Sequence, residues 1–176
     1  LRESGSKIII KGNSISIKSK SIKAVDITTA PFPGFPTDLQ APFSALMTIA
    51  EGKSKITETI FENRMNHIDL LNKMGACITL EKNTAHINGV KNLNGMNLVG
   101  SDLRSSAALI IAALIAKNTS HIYGLEHLDR GYENFESKLA NLGVQIKRES
   151  KNHINIGSEY KKKDSNEPEN ADIHAA

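Results

Sequence analysis

The sequence has no tryptophan and a single cysteine, Cys77, among 176 residues. One cysteine cannot form an internal disulfide, which excludes a disulfide-stabilised secreted scaffold and favours a reducing, cytoplasmic compartment. We expect Cys77 to be a small buried side chain at the start of a strand. Long apolar runs are also absent, because the longest, residues 107–116, is too short for the roughly 20 residues of a membrane-spanning helix. With no signal-peptide pattern either, we expect no membrane association.

Positive charge is in small excess, with 22 Lys and Arg against 19 Asp and Glu. Aromatic residues make up 5% of the chain and do not interleave with basic residues, so a nucleic-acid partner is not expected. The six histidines lack the spacing of metal ligands, and we expect neither a metal nor a cofactor. Residues 158–176 are polar, without apolar periodicity, and are predicted to form a disordered tail.

An internal repeat organises the rest of the chain. Three segments end in a glycine that follows the last turn of a predicted helix: residues 1–5, 71–75 and 139–143, ending at Gly5, Gly75 and Gly143. Each glycine precedes two apolar stretches joined by a turn that contains asparagine, a pattern typical of β-hairpins. Because the first copy starts within its helical turn, we expect the sequence to be a fragment.

A second match lies between these glycines, where Thr37-Asp38-Leu39-Gln40 resembles Ser101-Asp102-Leu103-Arg104. Both aspartates are predicted N-caps of apolar helices. The pattern predicts these helices at 43–50 and 107–116, strands at 55–60 and 120–123, and second helices at 63–74 and 132–142.

The repeating unit is therefore strand, helix, strand, helix, strand, strand, which indicates an α/β fold. The 107–116 helix is apolar all round and is predicted to be buried on all sides. We expect an inside-out α/β barrel of βαβαββ repeats, with helices inside and sheets outside a pseudo-threefold axis. About two and a half repeats are present, at residues 1–20, 21–90 and 91–157.

Three charged side chains are candidates for chemistry. Asp38 ends a proline-rich loop, which is consistent with a positioned carboxylate or with a plain helix cap. Arg104 lies in the first turn of an apolar helix, where its charge opposes the helix dipole, so an anionic ligand or a surface ion pair is expected. Arg130 precedes another helix, either as an anion-binding group or as part of a solvated loop.

Four stretches carry a resemblance to a known family. They are residues 30–41 (APFPGFPTDLQA), 56–64 (ITETIFENR), 102–104 (DLR) and 129–133 (DRGYE). Over residues 1–157 the sequence resembles the C-terminal part of bacterial UDP-N-acetylglucosamine enolpyruvyl transferases, also called UDP-N-acetylglucosamine 1-carboxyvinyltransferases. The resemblance implies transfer of enolpyruvyl from phosphoenolpyruvate to the sugar 3-hydroxyl with release of phosphate, the first committed step of peptidoglycan synthesis.

The resemblance also implies roles for individual residues. Asp38 matches the proposed general base that contacts the sugar hydroxyl, and Ile60 matches a position whose backbone contacts the nucleotide sugar. Arg104 and Arg130 match arginines that engage phosphoenolpyruvate or phosphate. Two further matches, Arg64 and Asp102, correspond to polar residues near that pocket.

The family's proton-donating cysteine belongs to an N-terminal domain that this sequence lacks, and Cys77 does not match it. We therefore expect no turnover by this polypeptide alone. Two other interpretations stay open: a non-catalytic module that binds a nucleotide sugar or anion, and the sister enzyme that acts on 3-phosphoshikimate.

Overall fold

The order of helices and strands repeats along the chain. The computed structural model describes residues 1–157 and the strand at 173–174. The helices are α1 (Gln40–Met47), α2 (His67–Lys73), α3 (Leu103–Ile115) and α4 (Phe135–Asn141), with short 3₁₀ helices at Thr37–Leu39 and Leu128–Arg130. The strands are β1 (Lys7–Lys11), β2 (Ser14–Lys18), β3 (Ile27–Thr28), β4 (Lys53–Thr57), β5 (Cys77–Glu81), β6 (Thr84–Asn88), β7 (Leu93–Asn94), β8 (Asn97–Val99), β9 (Ala116–Lys117), β10 (Ser120–Tyr123), β11 (Ile146–Ser150), β12 (His153–Ile156) and β13 (Ile173–His174).

Two four-stranded sheets share one topology. Their strand orders are β3-β4-β6-β5 and β8-β10-β12-β11. In each sheet the first two strands are parallel and the last three are antiparallel neighbours. A parallel pair needs a crossover connection, which α1 supplies in one sheet and α3 in the other. The predicted order of strand, helix, strand, helix, strand, strand is therefore confirmed in both units.

The three repeat glycines end their helical turns in the same way. Gly5, Gly75 and Gly143 have φ angles of 91°, 94° and 86°. Each glycine N–H donates to the carbonyl three residues back, and the next N–H donates to the carbonyl five residues back. This is the Schellman motif, in which a residue with positive φ satisfies the last carbonyls of a helix. The predicted helix-ending role of these glycines is confirmed.

Helices α1 and α3 pack against each other at the centre of the described chain. Ala41 and Ala45 on α1, and Ala108 and Ala112 on α3, are at most 2% exposed, and such small side chains allow close helix approach. Eight of the thirteen α3 residues are buried. The prediction of burial on all sides was wrong for one stripe, where Ile111, Leu114 and Ile115 stay partly exposed because the described elements cover only part of the helix.

The sheets flank this helix pair without closing into a barrel within the described residues. Ile78 and Ile87 face each other across β5 and β6 and are buried. Because side chains alternate along a strand, Cys77 faces the opposite side and is exposed, so its predicted burial was wrong.

Most of the tail predicted at 158–176 lies outside the described residues. Its described part is β13, which pairs antiparallel with β2. Within the described part of the chain, every helix is too short or too polar to cross a lipid bilayer.

Candidate functional site

Three segments distant in sequence meet beside the N-terminus of α3. They are the 3₁₀ helix Thr37–Leu39, the connection that follows β4, and the first turn of α3. They bring together Asp38, Arg64 and Arg104. Arg104 contacts Asp38 Oδ1 through Nη2 at 2.5 Å and Nε at 2.6 Å, and Arg64 Nη1 lies 3.4 Å from the same oxygen. Two guanidiniums therefore share one carboxylate.

Asp38 is not a helix N-cap, so that prediction was wrong. It lies inside the 3₁₀ helix, and the residue that precedes α1 is Leu39, with no side-chain cap. The carboxylate contacts two guanidiniums instead, which pair with it through opposite charges as well as hydrogen bonds. Both arginines contact Oδ1, while Oδ2 has no partner among the described residues. The Asp38 side chain is 67% exposed, so Oδ2 is open to a ligand.

Asp102 is the predicted N-cap of α3, and this prediction is confirmed. Its Oδ1 accepts hydrogen bonds from the backbone N–H groups of Arg104 at 2.9 Å and Ser105 at 3.0 Å. These bonds satisfy donors that the first helical turn leaves unpaired. The cap therefore fixes the backbone from which the Arg104 side chain reaches Asp38.

Arg64 is held by three kinds of contact. Besides Asp38, its Nη1 donates to Thr37 Oγ1 at 2.9 Å, and its guanidinium lies 3.6 Å from the centre of the Phe61 ring. Partial burial, and then the like charge of Arg104, lower the pKa of Arg64, although neighbouring carboxylates act in the opposite direction. The guanidinium remains charged, as arginines in proteins do.

A buried carboxylate, Glu58, supports the loops that carry Asp38 and Arg64. It is 2% exposed, and its carboxylate accepts from Thr37 Oγ1 at 2.7 Å, Thr29 Oγ1 at 2.9 Å and Ile60 N–H at 2.8 Å. Phe61 N–H donates to it at 3.2 Å. Burial raises the pKa of Glu58, but these four hydrogen bonds together bring it below its usual value. Glu58 therefore joins the loop before Asp38 to the loop that carries Arg64.

A cavity of about 230 Å³ opens beside the charged groups. Its lining combines cationic, acidic and neutral polar side chains: Ala41, Asn63, Arg64, Asn66, His67, Asp102, Arg104 and Ser105. His67 is 2% exposed, and burial lowers its pKa to about 4, although Asp102 acts in the opposite direction. Its Nε2 and Ser105 Oγ are buried without hydrogen-bond partners. The cavity thus presents two guanidiniums and a neutral imidazole, a set suited to an anionic ligand.

Arg130 lies nearby through its backbone, but it does not join the cavity lining. The following residue, Gly131, packs against the Leu103 side chain at the start of α3. The Arg130 side chain is exposed and makes no ion pair or hydrogen bond with the described residues. Of the three charged candidates Asp38, Arg104 and Arg130, the described contacts join the first two and place the third on an adjoining turn.

Ile60 is 38% exposed, and its N–H is already bonded to Glu58. Any backbone contact to a ligand would therefore use its carbonyl group. The described residues hold no cluster of three or more His, Cys, Asp or Glu side chains arranged to bind a metal ion.

Sequence reasoning missed several residues of this site, four of which are polar groups that bear on its chemistry. Thr37, Glu58, His67 and Ser105 lie next to the candidate residues or line the cavity. One signal was available for Glu58, because Ser54 and Ile56 face inward on β4 and alternation places residue 58 on the same side. A carboxylate at a predicted inward position requires hydrogen-bond donors around it.

Comparisons with known proteins agree with the resemblance noted in the sequence. UDP-N-acetylglucosamine 1-carboxyvinyltransferase of Prochlorococcus marinus strain AS9601 is 81% identical over 153 residues, which cover 86% of this chain and 34% of that relative. The protein of the same name from strain MIT 9312 is 72% identical over 173 residues, 98% of this chain and 37% of that relative. The chain thus spans about a third of the length of the curated relatives it matches.

Solved structures share the fold. The enolpyruvyl transferase NikO from Streptomyces tendae aligns with a TM-score of 0.73 at 24% identity, over 81% of this chain and 33% of that one. EPSP synthase from Acinetobacter baumannii aligns with a TM-score of 0.64 at 19% identity, over 89% of this chain and 37% of that one. A family model described as EPSP synthase (3-phosphoshikimate 1-carboxyvinyltransferase) matches residues 1–139. With well over half of its length matched, this chain belongs to the EPSP synthase family.

Proposed function

We propose that this chain forms part of a cytoplasmic enzyme that transfers enolpyruvyl from phosphoenolpyruvate to the 3-hydroxyl of UDP-N-acetylglucosamine and releases phosphate. This reaction is the first committed step of peptidoglycan synthesis. The observation that carries the proposal is the convergence of Asp38, Arg64 and Arg104 from three distant segments at the edge of one cavity. The 81% identical relative is named UDP-N-acetylglucosamine 1-carboxyvinyltransferase, which supports this choice of substrate.

Asp38 is the general base in this proposal. Its Oδ1 is bound by the two arginines, which leaves Oδ2 to accept the proton of the sugar hydroxyl. Proton transfer to a positioned carboxylate requires hydrogen-bond reach, and the two guanidiniums hold the carboxylate in one orientation. The freed hydroxyl oxygen then forms the new bond to the enolpyruvyl carbon.

The cationic groups bind the other substrate. Phosphoenolpyruvate carries a phosphate and a carboxylate, and planar guanidiniums pair with both groups through two parallel hydrogen bonds. Arg104 and Arg130 engage phosphoenolpyruvate or the departing phosphate, and Arg64 adds positive charge at the cavity. Positive charge near the breaking C–O bond stabilises the negative charge that develops there.

Two further residues act through the backbone. Asp102 caps α3 and thereby places Arg104, while the Ile60 carbonyl contacts the nucleotide sugar. The proton-donating cysteine implied by the resemblance has no counterpart in Cys77, which lies on β5 and does not line the cavity. No turnover is therefore expected from this chain alone.

The architecture in this proposal is the inside-out barrel. Residues 1–157 form one partial domain whose α1 and α3 face a pseudo-threefold axis, with units at 1–20, 21–90 and 91–157. The N-terminal domain expected from the resemblance would then cover the cavity from the other side. Two observations support the barrel architecture: the matching sheet orders and the partly exposed stripe on α3.

A chimaera tests the function. In it, this chain replaces the homologous 153-residue segment of the AS9601 relative, so that the relative supplies the other two thirds of the protein. With both substrates, the chimaera is expected to release phosphate, and the 176-residue chain alone is expected not to. An inactive, folded chimaera would contradict the proposal.

The same chimaera separates the two alternative functions. Activity with 3-phosphoshikimate in place of UDP-N-acetylglucosamine would favour the sister enzyme, whose name the family model carries. Binding of UDP-N-acetylglucosamine by the chimaera in calorimetry without any turnover would favour a non-catalytic binding module.

A further inference from the structure

Arg148 occupies a hairpin position that is apolar in the other two repeats. Counting from the Schellman glycine of each repeat, the fifth residue is Ile10, Leu80 or Arg148. The cross-strand pairs that contain these positions are Ile10 with Ile15, Leu80 with Ala85, and Arg148 with Ile154. Two hairpins therefore carry an apolar pair where the third carries a charge. The strand register shifts directly after Arg148, and such a bulge redirects a side chain.

Every N–H of the Arg148 guanidinium has an acceptor. Nε and Nη2 donate to the Glu136 carboxylate at 2.9 and 3.2 Å, and Nη2 and Nη1 donate to the Asp129 carboxylate at 2.8 and 3.2 Å. Nη1 also donates to the Lys151 carbonyl at 2.9 Å. These bonds occupy the five donors that a guanidinium offers. The hydrogen bond to Asp129 is the main reason that the pKa of Arg148 rises above its usual value.

These two carboxylates flank the turn that carries Arg130. Asp129 is the residue before Arg130, and Glu136 lies in the first turn of α4. Arg148 on β11 therefore holds both ends of the connection between the 3₁₀ helix and α4. Exposed single ion pairs contribute little, but the Arg148 side chain is 23% exposed and binds two carboxylates in bidentate geometry. This is the geometry in which ion pairs do fix a structure.

The two repeats position their equivalent arginines differently. Arg64 follows the end of β4 at Thr57 by seven positions, and Arg130 follows the end of β10 at Tyr123 by seven positions. The Arg64 side chain is held directly, through Thr37, Asp38 and Phe61. The Arg130 side chain has no such contact with the described residues, so its direction is set by its backbone.

We propose that Arg148 is a positioning residue that acts through Asp129 to aim Arg130 at the anionic substrate. The inference rests on the proposed function, in which Arg130 engages phosphoenolpyruvate or phosphate. It assigns to Arg148 no contact with substrate. We call the contacts of Arg148 with Asp129 and Glu136 the clamp. Loss of the clamp leaves Arg130 charged but no longer aimed at the substrate.

Kinetics of the chimaera test the substrate effect. Arg148→Met is expected to raise KM for phosphoenolpyruvate by about tenfold or more, since misdirecting one charge-assisted contact has an effect of this size. KM for UDP-N-acetylglucosamine is expected to stay within about twofold, because the sugar contacts lie elsewhere. Lys147→Met is the matched control, because it removes a positive charge from the same strand. The partner of Lys147 is Glu149, which does not belong to the turn that carries Arg130.

A double-mutant cycle tests the route through Asp129. Asp129→Asn is expected to reproduce the KM effect, and the double variant is expected to be no worse than either single variant. Arg148→Lys is expected to rescue part of the effect, because lysine cannot bind both carboxylates with a planar fork. Additive effects, or Arg148→Met kinetics equal to those of Lys147→Met, would overturn the proposal.

Hydrogen exchange on the full 176-residue chain tests the clamp without activity. The N–H groups of Gly131 and Tyr132 donate to the Leu128 carbonyl and so report the order of the turn. Their exchange is expected to accelerate at least about tenfold in Arg148→Met and to be unchanged in Lys147→Met. Unchanged exchange in Arg148→Met contradicts the clamp. An inactive wild-type chimaera with accelerated exchange in the variant contradicts the proposed function alone.

Discussion

Arg104 and Asp38 are 66 residues apart in sequence, yet two nitrogens of the arginine lie within 2.6 Å of one oxygen of the aspartate. The pair joins the first turn of α3 to the 3₁₀ helix before α1, and so links equivalent ends of the two repeats. Since both contacts use Oδ1, the pair orients the carboxylate without occupying its second oxygen.

The first prediction concerns this second oxygen. Asp38→Asn in the chimaera is expected to lower kcat by about 10²–10⁴-fold, the usual contribution of a general base. Phosphate release under saturating substrates measures the effect. Asp69→Asn is the control, because Asp69 is an exposed carboxylate on α2. A kcat for Asp38→Asn within a few-fold of the Asp69→Asn value would exclude a general-base role.

The second prediction concerns the shape of the Arg104 side chain. Arg104→Lys keeps the positive charge but loses the fork that contacts Asp38 through Nε and Nη2. We expect KM for phosphoenolpyruvate to rise about 10- to 100-fold, the equivalent of one charge-assisted hydrogen bond. Arg2→Lys, at an exposed position near the start of the chain, controls for the chemical change itself. Equal KM values in the two variants would show that charge alone suffices at residue 104.

The third prediction concerns His67 and acid stability. The folded protein keeps this histidine neutral down to a pKa of about 4, while in the unfolded chain it takes up a proton near pH 6.5. Between these values the unfolded state binds more protons, so the free energy of unfolding falls as the pH falls. The total change is roughly 3 kcal/mol.

Urea unfolding between pH 7.5 and pH 4 measures this slope. His67→Gln is expected to flatten it, whatever the stability of the variant at pH 7.5. His86→Gln, on β6, is expected to keep it. A slope in His67→Gln equal to that of the wild type would refute the assignment.

The fourth prediction concerns Glu58. Its pKa is below the usual 4.5, so its stabilising effect is complete above that value and is lost as the pH falls through the lower folded pKa. Glu58→Gln places an amide N–H₂ among groups that all donate, which is expected to cost about 1–3 kcal/mol at pH 7. The difference from wild type is expected to shrink below pH 4.5, as the wild-type carboxylate takes up a proton.

Glu62→Gln is the matched change at an exposed glutamate on the same loop. Its free energy of unfolding is expected to stay within about 0.5 kcal/mol of the wild-type value. If Glu58→Gln behaves like Glu62→Gln at pH 7, the four hydrogen bonds to Glu58 do not stabilise the loops.

Local patterns in the sequence were sufficient for the repeats and much of the secondary structure. The two-residue alternation of Ile78, Leu80, Ala85 and Ile87 predicted the β5–β6 hairpin, and β10 has the predicted bounds. Helix ends were harder to predict. The last helix was expected from residue 132 but begins at Phe135, because Asn134 has a φ of 50°, which interrupts the helix. Helix α1 begins before Pro42, as first-turn N–H groups need no helical partner.

Local patterns could not distinguish the two aspartates. Asp38 and Asp102 each precede an apolar helix, and for that reason both were predicted to be helix N-caps. What separates them is tertiary: Arg104 approaches Asp38 from 66 residues away, and no local signal records that approach. The same holds for Arg148, whose partners Asp129 and Glu136 come from other elements.

Arg64 and Arg130 lie at the same distance past the second strand of their units, seven residues after Thr57 and Tyr123. The first guanidinium is bound to Asp38, whereas the second makes no ion pair or hydrogen bond with the described residues. Because the two sheets share one strand order, a single loop position in a repeated fold thus yields one restrained cation and one unrestrained cation.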